Sequence, residues 1–377
     1  MELTWVEVSK SALRHNVETF RSLASNSLLG AVVKANAYGH GLVPVAQTVL
    51  EAGADWLCVN ALYEAQALRQ ASIDCPIYVL GYVSPTDAEA VVEADLRLVV
   101  YDPSLVEALS AAASKGRSVP LHIKVETGNN RQGLSLEQTL ALARMIRTLP
   151  GVHLEGISSH YADIEDTTDH TFAKEQLSRY REIDLALAAD GHKLSVRSFS
   201  NSAATLLWPA THFELVRVGV SLYGMWPSKE TLVSALLEKR NAPKLKPALT
   251  WKARIAQVKT VKAGEFVGYG RSFQATHETR LAVIPVGYYD GYDRGLSNLA
   301  HVLIDGRIAP LRGRVCMNMV MADVSDIPDA APNGEVVLLG ESNGSAISAD
   351  QMAEWAHTIN YEIPTRINDR IPRILVD

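Results

Sequence analysis

The chain has 377 residues, of which 47% are hydrophobic and 21% charged, and its net charge is −6. This length exceeds that of a typical single domain, so we expect two domains. Basic residues are scattered among acidic ones, which excludes a basic surface for nucleic acid or an anionic membrane. The N-terminus has no basic leader, and no segment approaches the roughly 20 apolar residues of a membrane span. We therefore expect a cytoplasmic protein without a membrane partner.

Short apolar runs alternate with amphipathic stretches up to about residue 240. Leu177, Tyr180, Ile183 and Leu187 fall on one face of a predicted helix. Eight such alternations predict a (β/α)8 TIM-type barrel over residues 1–240. The candidate strands are Leu29–Val33, Trp56–Val59, Ile77–Leu80, Leu98–Val100, Leu121–Val125, Leu154–Ile157, Val196–Phe199 and Leu215–Val218.

Helix boundaries in this region carry their own signals. Ser135 is followed three residues later by Gln138, which is the spacing of a capping box, and Asp102-Pro103 marks a helix start. Gly191 marks a helix end. These signals support the alternation of strands and helices.

After the charged, proline-containing segment Glu238–Pro247 the pattern changes to strands separated by turns. Only one clear helix is predicted there, at Ser348–Ala356. We therefore predict a mostly β C-terminal domain over residues 241–377. The candidate strands are Leu249–Val261, Leu281–Val286, Val302–Asp305, Val315–Val324 and Val336–Leu339.

Active-site residues of a barrel follow its strands, and the first strand ends at Lys34. An unpaired ammonium is costly at the end of a buried strand, and burial lowers a lysine pKa toward the range that Schiff-base or proton-transfer chemistry needs. From the lysine alone, a side chain that reaches solvent or pairs with a carboxylate is the favoured alternative. Cys58, Cys75 and Cys316 lack the paired spacing of metal sites or disulfides, so we expect reduced thiols and no metal.

Further blocks of sequence decide between these alternatives. They are Ala31-Val-Val-Lys34-Ala-Asn-Ala-Tyr38-Gly-His-Gly41, Lys124-Val-Glu-Thr-Gly128 with Arg131, Ser158-Ser-His160, Asn201-Ser202-Ala203, Arg217-Val-Gly219-Val220-Ser221, Val267-Gly-Tyr269-Gly-Arg271, Gly287-Tyr-Tyr-Asp290, Gly313-Arg-Val-Cys316-Met317 and Tyr361-Glu-Ile-Pro364. In kind and order they resemble the alanine racemases, a family that depends on pyridoxal phosphate, and the resemblance covers nearly the whole chain.

The resemblance implies an enzyme that interconverts L- and D-alanine with two bases. Lys34 would hold the cofactor and act on the D-enantiomer, and Tyr269 would act on the L-enantiomer from the opposite face. Racemisation needs an acid–base group on each side of a planar carbanion. The family also implies a homodimer with shared active sites, in which Tyr269 and Met317 serve the partner subunit.

The resemblance also assigns cofactor and substrate contacts. The cofactor would be bound by Lys34, Tyr38, His160, Ser202, Arg217 and the backbone at Gly219 and Val220. Arg217 would face the pyridine nitrogen and, being permanently protonated, leave the ring a weaker electron sink. Ser202 alone is also typical of a helix cap.

Two positions match residues beside the substrate. Arg131 would hold its carboxylate, and Lys124 matches a lysine that is carbamylated in many members of the family. A carbamate would make Lys124 an anionic partner for Arg131, whereas an unmodified Lys124 would place two cations together. Both states stay open from the sequence.

Two positions depart from the family pattern. Asn318 stands where aspartate is usual, and Asp369 stands where a tyrosine commonly reaches toward the phosphate and substrate. A short polar group in place of an aromatic one predicts a roomier pocket and relaxed specificity toward serine. We expect Asp369 to point away from the phosphate or to pair with Arg366 or Arg370.

Other functions fit parts of this pattern. A broad-specificity amino-acid racemase stays open, whereas barrel-type pyridoxal-phosphate decarboxylases carry a glycine-rich phosphate loop and a Cys-Asp-Ser motif that this sequence lacks. Single-domain cofactor-binding proteins share the lysine motif but have no second domain. A protein that binds the cofactor without turnover would not need Tyr269.

Overall fold

The computed structural model describes residues 2–113, 116–238 and 242–377. Contacts divide the chain into a barrel unit, Leu13–Ala37 with Leu42–Lys246, and a second unit, Met1–Ala12 with Tyr38–Gly41 and Pro247–Asp377. The predicted boundary between residues 240 and 241 lies outside the described residues. No helix in the described ranges has the length and apolar character that a membrane span requires.

The chain opens with strand β1 (Thr4–Ser9) and continues into the barrel strands. Within the described part, eight parallel strands follow the order β8-β7-β6-β5-β4-β3-β2-β9. At the closure, the Arg217 N–H donates to the Ser200 carbonyl (3.0 Å) and the Ser198 hydroxyl donates to the Leu215 carbonyl (2.9 Å). The predicted barrel is confirmed. Its strands are β2 (Leu28–Val32), β3 (Trp56–Val59), β4 (Ile77–Val79), β5 (Leu96–Val100), β6 (Val119–Lys124), β7 (Val152–Ser158), β8 (Val196–Ser198) and β9 (Leu215–Val218).

Helices alternate with these strands, and the longest of them buries one face. In Thr171–Ala189 the buried face includes Tyr180, Ile183 and Leu187, and it covers the barrel from solvent. Ser135 and Gln138 form the predicted reciprocal cap, with N–H to side-chain distances of 3.3 and 3.1 Å. The helices are Lys10–Leu23, Leu42–Glu51, Leu62–Gln70, Ala88–Glu93, Pro103–Ala112, Leu136–Thr148, Thr171–Ala189, Ser202–Leu207 and Lys229–Leu237.

The second unit is mostly β, as predicted. Its largest sheet has the order β16-β15-β18-β10-β1-β20, with β19 paired to β18, and β11-β14-β17 and β12-β13 form smaller sheets. The helices are Ala349–Ala356 and Glu362–Thr365. The strands are β10 (Leu249–Arg254), β11 (Gln257–Val261), β12 (Phe266–Val267), β13 (Phe273–Gln274), β14 (Thr279–Ile284), β15 (His301–Ile304), β16 (Arg307–Pro310), β17 (Val320–Asp323), β18 (Glu335–Ser342), β19 (Ser345–Ile347) and β20 (Arg373–Val376).

The structure differs from the sequence-based expectation at several elements. The strand expected over Val315–Val324 is limited to β17, and the sequence did not predict the short strands β12, β13, β16, β19 and β20. The single strand expected over Leu249–Val261 is two strands that belong to different sheets, β10 and β11. Strand β1 was not predicted, and it pairs antiparallel with β10 and parallel with β20 rather than with the barrel. The four-residue helix Glu362–Thr365 was also not predicted, because it contains Pro364 and is too short to show a period.

Candidate active site

The barrel strands are parallel, so their carboxyl ends meet at one rim, and the predicted polar residues lie there. Lys34 lies two residues after β2, and Lys124 is the last residue of β6. His160 lies two residues after β7, and Gly219 directly follows β9. The structure therefore places these side chains and this amide at the rim where barrel enzymes carry out chemistry.

The chain takes an unusual conformation directly after Lys34. Ala35, Asn36, Ala37 and Tyr38 all have φ of 53–54°, in the left-handed region. Such a conformation costs about 1–2 kcal/mol for each residue with a side chain, so a run of four needs support from its surroundings. The Ala35 N–H donates to Glu64 Oε1 (2.6 Å), and the Leu42 N–H donates to Asn36 Oδ1 (2.8 Å). These bonds fix the backbone that carries Lys34.

Four basic side chains at the rim act on one another electrostatically: Lys34, Lys124, Arg131 and Arg217. Burial, and then Arg131, lower the pKa of Lys34, while Glu64 opposes the shift. Burial, and then Arg217 and Arg131, lower the pKa of Lys124 well below its ordinary value, and only 8% of this residue is exposed. Within the described ranges none of the four forms an ion pair with a carboxylate. The surroundings therefore shift both lysines toward the neutral amine, while the two guanidinium groups keep the rim positively charged.

Arg217 is held by neutral groups. Only 5% of it is exposed, its Nη1 donates to the Ser198 hydroxyl, and its Nη2 donates to the Ser159 carbonyl at 2.8 Å. A surface salt bridge is therefore not its role. Neither contact was predicted from the sequence, because Ser198 ends β8 without a distinctive pattern and the Ser159 carbonyl belongs to the backbone.

His160 and the Ser202 hydroxyl complete the barrel part of the site. Burial, and then Lys124, lower the pKa of His160 well below its ordinary value, so its ring is neutral. The Gly219 N–H donates to the Ser202 hydroxyl at 2.9 Å. The cap of helix Ser202–Leu207 is Asn201, which accepts from the Ala204 N–H at 2.9 Å, so Ser202 does not serve as that cap.

Tyr269, the predicted second base, belongs to the second unit and is 73% exposed. It lies in the turn Tyr269–Arg271, between Gly268 and Gly270, which both have φ of 71°. A Cβ at Gly270 would lie 2.9 Å from the Arg314 guanidinium carbon. Two glycines are thus needed to present the tyrosine side chain outward.

Met317 is also exposed in this unit, at 54%. The N–H of Tyr288 donates to the Cys316 carbonyl and the N–H of Tyr289 donates to the Met317 carbonyl, both at 3.0 Å. These bonds shape the Cys316–Met317 loop, so a second exposed side chain of the predicted site has a defined backbone.

Tyr38 is buried in the second unit, where its ring centroid lies 6.1 Å from that of Tyr361. Asp369 raises the pKa of Arg373, although burial of Arg373 lowers it more strongly. Arg366 pairs with Asp293 at 2.9 Å and with Glu362 at 2.7 Å. The expected place of Asp369 relative to a phosphate stays a prediction.

Comparison with known proteins gives a consistent result over both units. Residues 8–227 match the model of the alanine racemase N-terminal domain, and residues 248–375 match that of the C-terminal domain. An alanine racemase of Leptospira interrogans is 38% identical over 380 aligned positions, which cover 99% of this chain and 96% of that protein.

Solved structures agree. Alanine racemase from the D-cycloserine producer Streptomyces lavendulae has a TM-score of 0.91 and 36% identity, covering 100% of this chain and 98% of the other. The Bacillus anthracis alanine racemase with bound L-Ala-P has a TM-score of 0.92 and 34% identity, covering 100% and 96%.

The barrel fold, the polar side chains at its rim and the similarity to known alanine racemases together define an isomerase that acts on amino acids. More specifically, the chain belongs to the alanine racemase family.

Proposed function

We propose that this enzyme interconverts L- and D-alanine with pyridoxal phosphate as cofactor and with Lys34 and Tyr269 as its two bases. The observation that carries the proposal is the lowered pKa of Lys34, a lysine held at the barrel rim in a cluster of cations. A neutral amine there can bond to a carbonyl group and can accept a proton.

The rim fits a cofactor that brings a dianionic phosphate and a phenolic oxygen. Within the described residues the four basic side chains form no ion pair with a carboxylate, so the anionic groups of the cofactor would balance the positive charge of this rim. Ser202, the amides of Gly219 and Val220, and Tyr38 would hold the phosphate, because hydroxyls and backbone N–H groups suit a phosphate dianion. His160 would lie against the ring. When bound, the cofactor supplies an electron sink that makes the substrate Cα–H acidic.

Arg217 would face the ring nitrogen and limit that acidity. A guanidinium does not give up its proton, so it leaves the nitrogen unprotonated. Its bonds to Ser198 and to the Ser159 carbonyl leave further N–H groups available. A weaker electron sink favours return of the proton to Cα over transamination.

The two bases would come from different subunits of a homodimer. Lys34 would take or give the proton on one face of the substrate, and Tyr269 of the other subunit would do so on the opposite face. The exposure of Tyr269 and Met317 supports this arrangement, in which the domain over residues 241–377 lends both side chains to the partner's barrel over residues 1–240.

Arg131 would hold the substrate carboxylate, and Lys124 would orient Arg131 as a carbamate. A neutral, buried amine among cations can add carbon dioxide, and the resulting anion would offset the charge of Arg131. Labelled bicarbonate should give a carbamate carbon signal by NMR that is absent from Lys124→Arg. An unchanged signal in the variant would mean that Lys124 is not the site.

The proposed substrate is alanine, with relaxed specificity toward serine from the short polar side chains of Asn318 and Asp369. The relative from Bacillus anthracis binds L-Ala-P, whose side chain has the size of that of alanine. A broad-specificity racemase is the second candidate, and an amino-acid decarboxylase is a third.

A panel of single enantiomers separates these functions. The purified, cofactor-loaded enzyme is incubated with L- and D-alanine, serine, lysine and arginine, and product chirality and released carbon dioxide are measured. We expect racemised alanine, a slower but clear serine rate, and no carbon dioxide. A negligible rate with serine would refute the relaxed specificity. Release of carbon dioxide would refute the assignment as a racemase.

A further inference from the structure

Glu64 joins the start of one helix to the residue beside Lys34. It lies in helix Leu62–Gln70 and is only 2% exposed. Its Oε2 accepts the N–H of Asn60 at 2.7 Å and of Ala61 at 3.0 Å, while its Oε1 accepts the N–H of Ala35 at 2.6 Å. One carboxylate thus binds backbone from two separate barrel loops.

The capping of its own helix explains only half of this arrangement. A glutamate at this helix position commonly reaches back to the cap backbone with one oxygen and stays in water. Here the side chain is buried instead, and its second oxygen, Oε1, accepts the Ala35 N–H in the loop that follows β2. A buried carboxylate is costly without hydrogen bonds, and three N–H donors satisfy this one.

The contact falls where the lysine loop needs support. Ala35 begins the left-handed run that ends at Tyr38. A left-handed turn does not form readily in residues with side chains, so an acceptor fixed at its first N–H selects this conformation over the ordinary ones. The conformation in turn sets where Lys34 leaves the backbone.

The same carboxylate acts on the charge of Lys34. Arg131 and Arg217 lower the pKa of Lys34, and Lys124 and His160 also interact with it electrostatically. The Glu64 carboxylate has the opposite effect and raises the pKa of Lys34. Glu64 therefore opposes the surrounding cations as well as holding the backbone.

We infer that Glu64 is a positioning residue for racemisation, which latches the left-handed turn 35–38 through the Ala35 N–H and so fixes Lys34 against its substrate. The inference rests on the role of Lys34 stated above.

Three variants separate the latch from ordinary helix capping. Glu64→Gln keeps the size but removes the charge and turns one acceptor into a donor. Glu64→Asp keeps the charge but shortens the reach. Gln138→Ala is the matched control, because Gln138 reaches back to the Ser135 N–H in the same way on a helix that begins elsewhere in the barrel.

Four quantities are measured on holoenzyme made with pyridoxal phosphate: kcat, KM for alanine, Tm, and the pH midpoint of the lysine-bound cofactor's absorbance. Glu64→Gln should lower kcat by about 10- to 100-fold, as small misplacements of a reacting group do. KM should change little, and the absorbance midpoint should move to lower pH because an anion is lost. Glu64→Asp should lower kcat while it keeps the midpoint. Gln138→Ala should lower only Tm.

The latch is refuted if Glu64→Gln keeps the wild-type kcat and absorbance midpoint. It is also refuted if Gln138→Ala lowers kcat as much as Glu64→Gln does when the two variants lose the same Tm. If Glu64→Gln does not fold, Glu64→Asp decides: a lowered kcat supports the latch and a wild-type kcat overturns it. Lys34→Ala separates the two proposals. If borohydride still attaches the cofactor covalently to this variant, the role of Lys34 is refuted. If Lys34→Ala carries no attached cofactor but the Glu64 variants keep the wild-type kcat and midpoint, only the latch is refuted.

Discussion

Two histidines of the barrel, His122 and His160, favour their neutral forms. His160 is neutral because of burial and of Lys124 beside it. His122 is fully buried, and burial lowers its pKa although its Nε2 lies 2.8 Å from Glu155 Oε2. Protonation of either ring would place a charge where burial limits its hydration, and for His160 also close to other positive charges.

These histidines predict the direction of a pH effect on stability. Their folded pKa values lie below the unfolded value of about 6.5, so the unfolded chain binds more protons once the pH falls below that value. The stability is fully present above about pH 6.5 and declines as the pH falls toward the folded pKa values. The Tm of cofactor-free enzyme should fall in this window, and the fall should be shallower in His160→Gln. His277→Gln, at an exposed histidine, should keep the wild-type slope; equal slopes in all three proteins would refute the assignment.

At the scale of elements, the loop after β2 ends at a position that only glycine fits. Gly39 has φ of 82°, and a Cβ there would lie 1.9 Å from the Pro364 carbonyl oxygen. The Gly39 carbonyl accepts from Arg373 Nε at 3.0 Å, so the loop cannot easily shift away. Backbone conformation and packing therefore both require a residue without a side chain at position 39.

Gly39→Ala should therefore destabilise the protein by about 2–4 kcal/mol, from overpacking added to backbone strain. Gly53→Ala is the matched control, because Gly53 has φ of 106° and a Cβ added there would meet no atom within 4 Å. That control should lose only about 1–2 kcal/mol, from the backbone alone. Urea unfolding measures both, and equal losses would show that the contact with Pro364 does not matter.

Local patterns explain which elements could be predicted. Apolar runs and caps lie within a few residues, so the barrel strands and the Ser135–Gln138 cap follow from the sequence. The partner of β1 lies more than two hundred residues away, and no local pattern encodes that pairing.

The left-handed run after Lys34 contains two alanines and a tyrosine, whose ordinary preferences oppose it. Glu64 escaped notice because its helix begins after Ala61, where a capping box has serine or threonine.

On the scale of the whole molecule, the proposed site needs residues from both units. Lys34 belongs to the barrel unit, and Tyr269 belongs to the unit that contains most of the β strands after residue 247. If each site combines one barrel with the partner's Tyr269, then Lys34→Ala and Tyr269→Phe subunits can complement each other.

Subunit mixing tests this arrangement. Each variant alone should be inactive in racemisation, because each lacks one base. Equal amounts, dissociated and reassembled together, should recover about one quarter of wild-type activity, since half of the dimers would then hold one complete site out of two. Wild-type subunits are the control and should recover full activity after the same treatment. If the mixed variants reassemble but recover no activity, both bases come from one subunit.

The most direct test of the central claim is hydrogen exchange at Cα catalysed by Tyr269→Phe in deuterated water. The variant should keep the absorbance of the lysine-bound cofactor and should still exchange the α-hydrogen of D-alanine through Lys34. Exchange from L-alanine should be lost, because no base remains on that face. Undiminished racemisation, or equal exchange from both enantiomers, would contradict the two-base account.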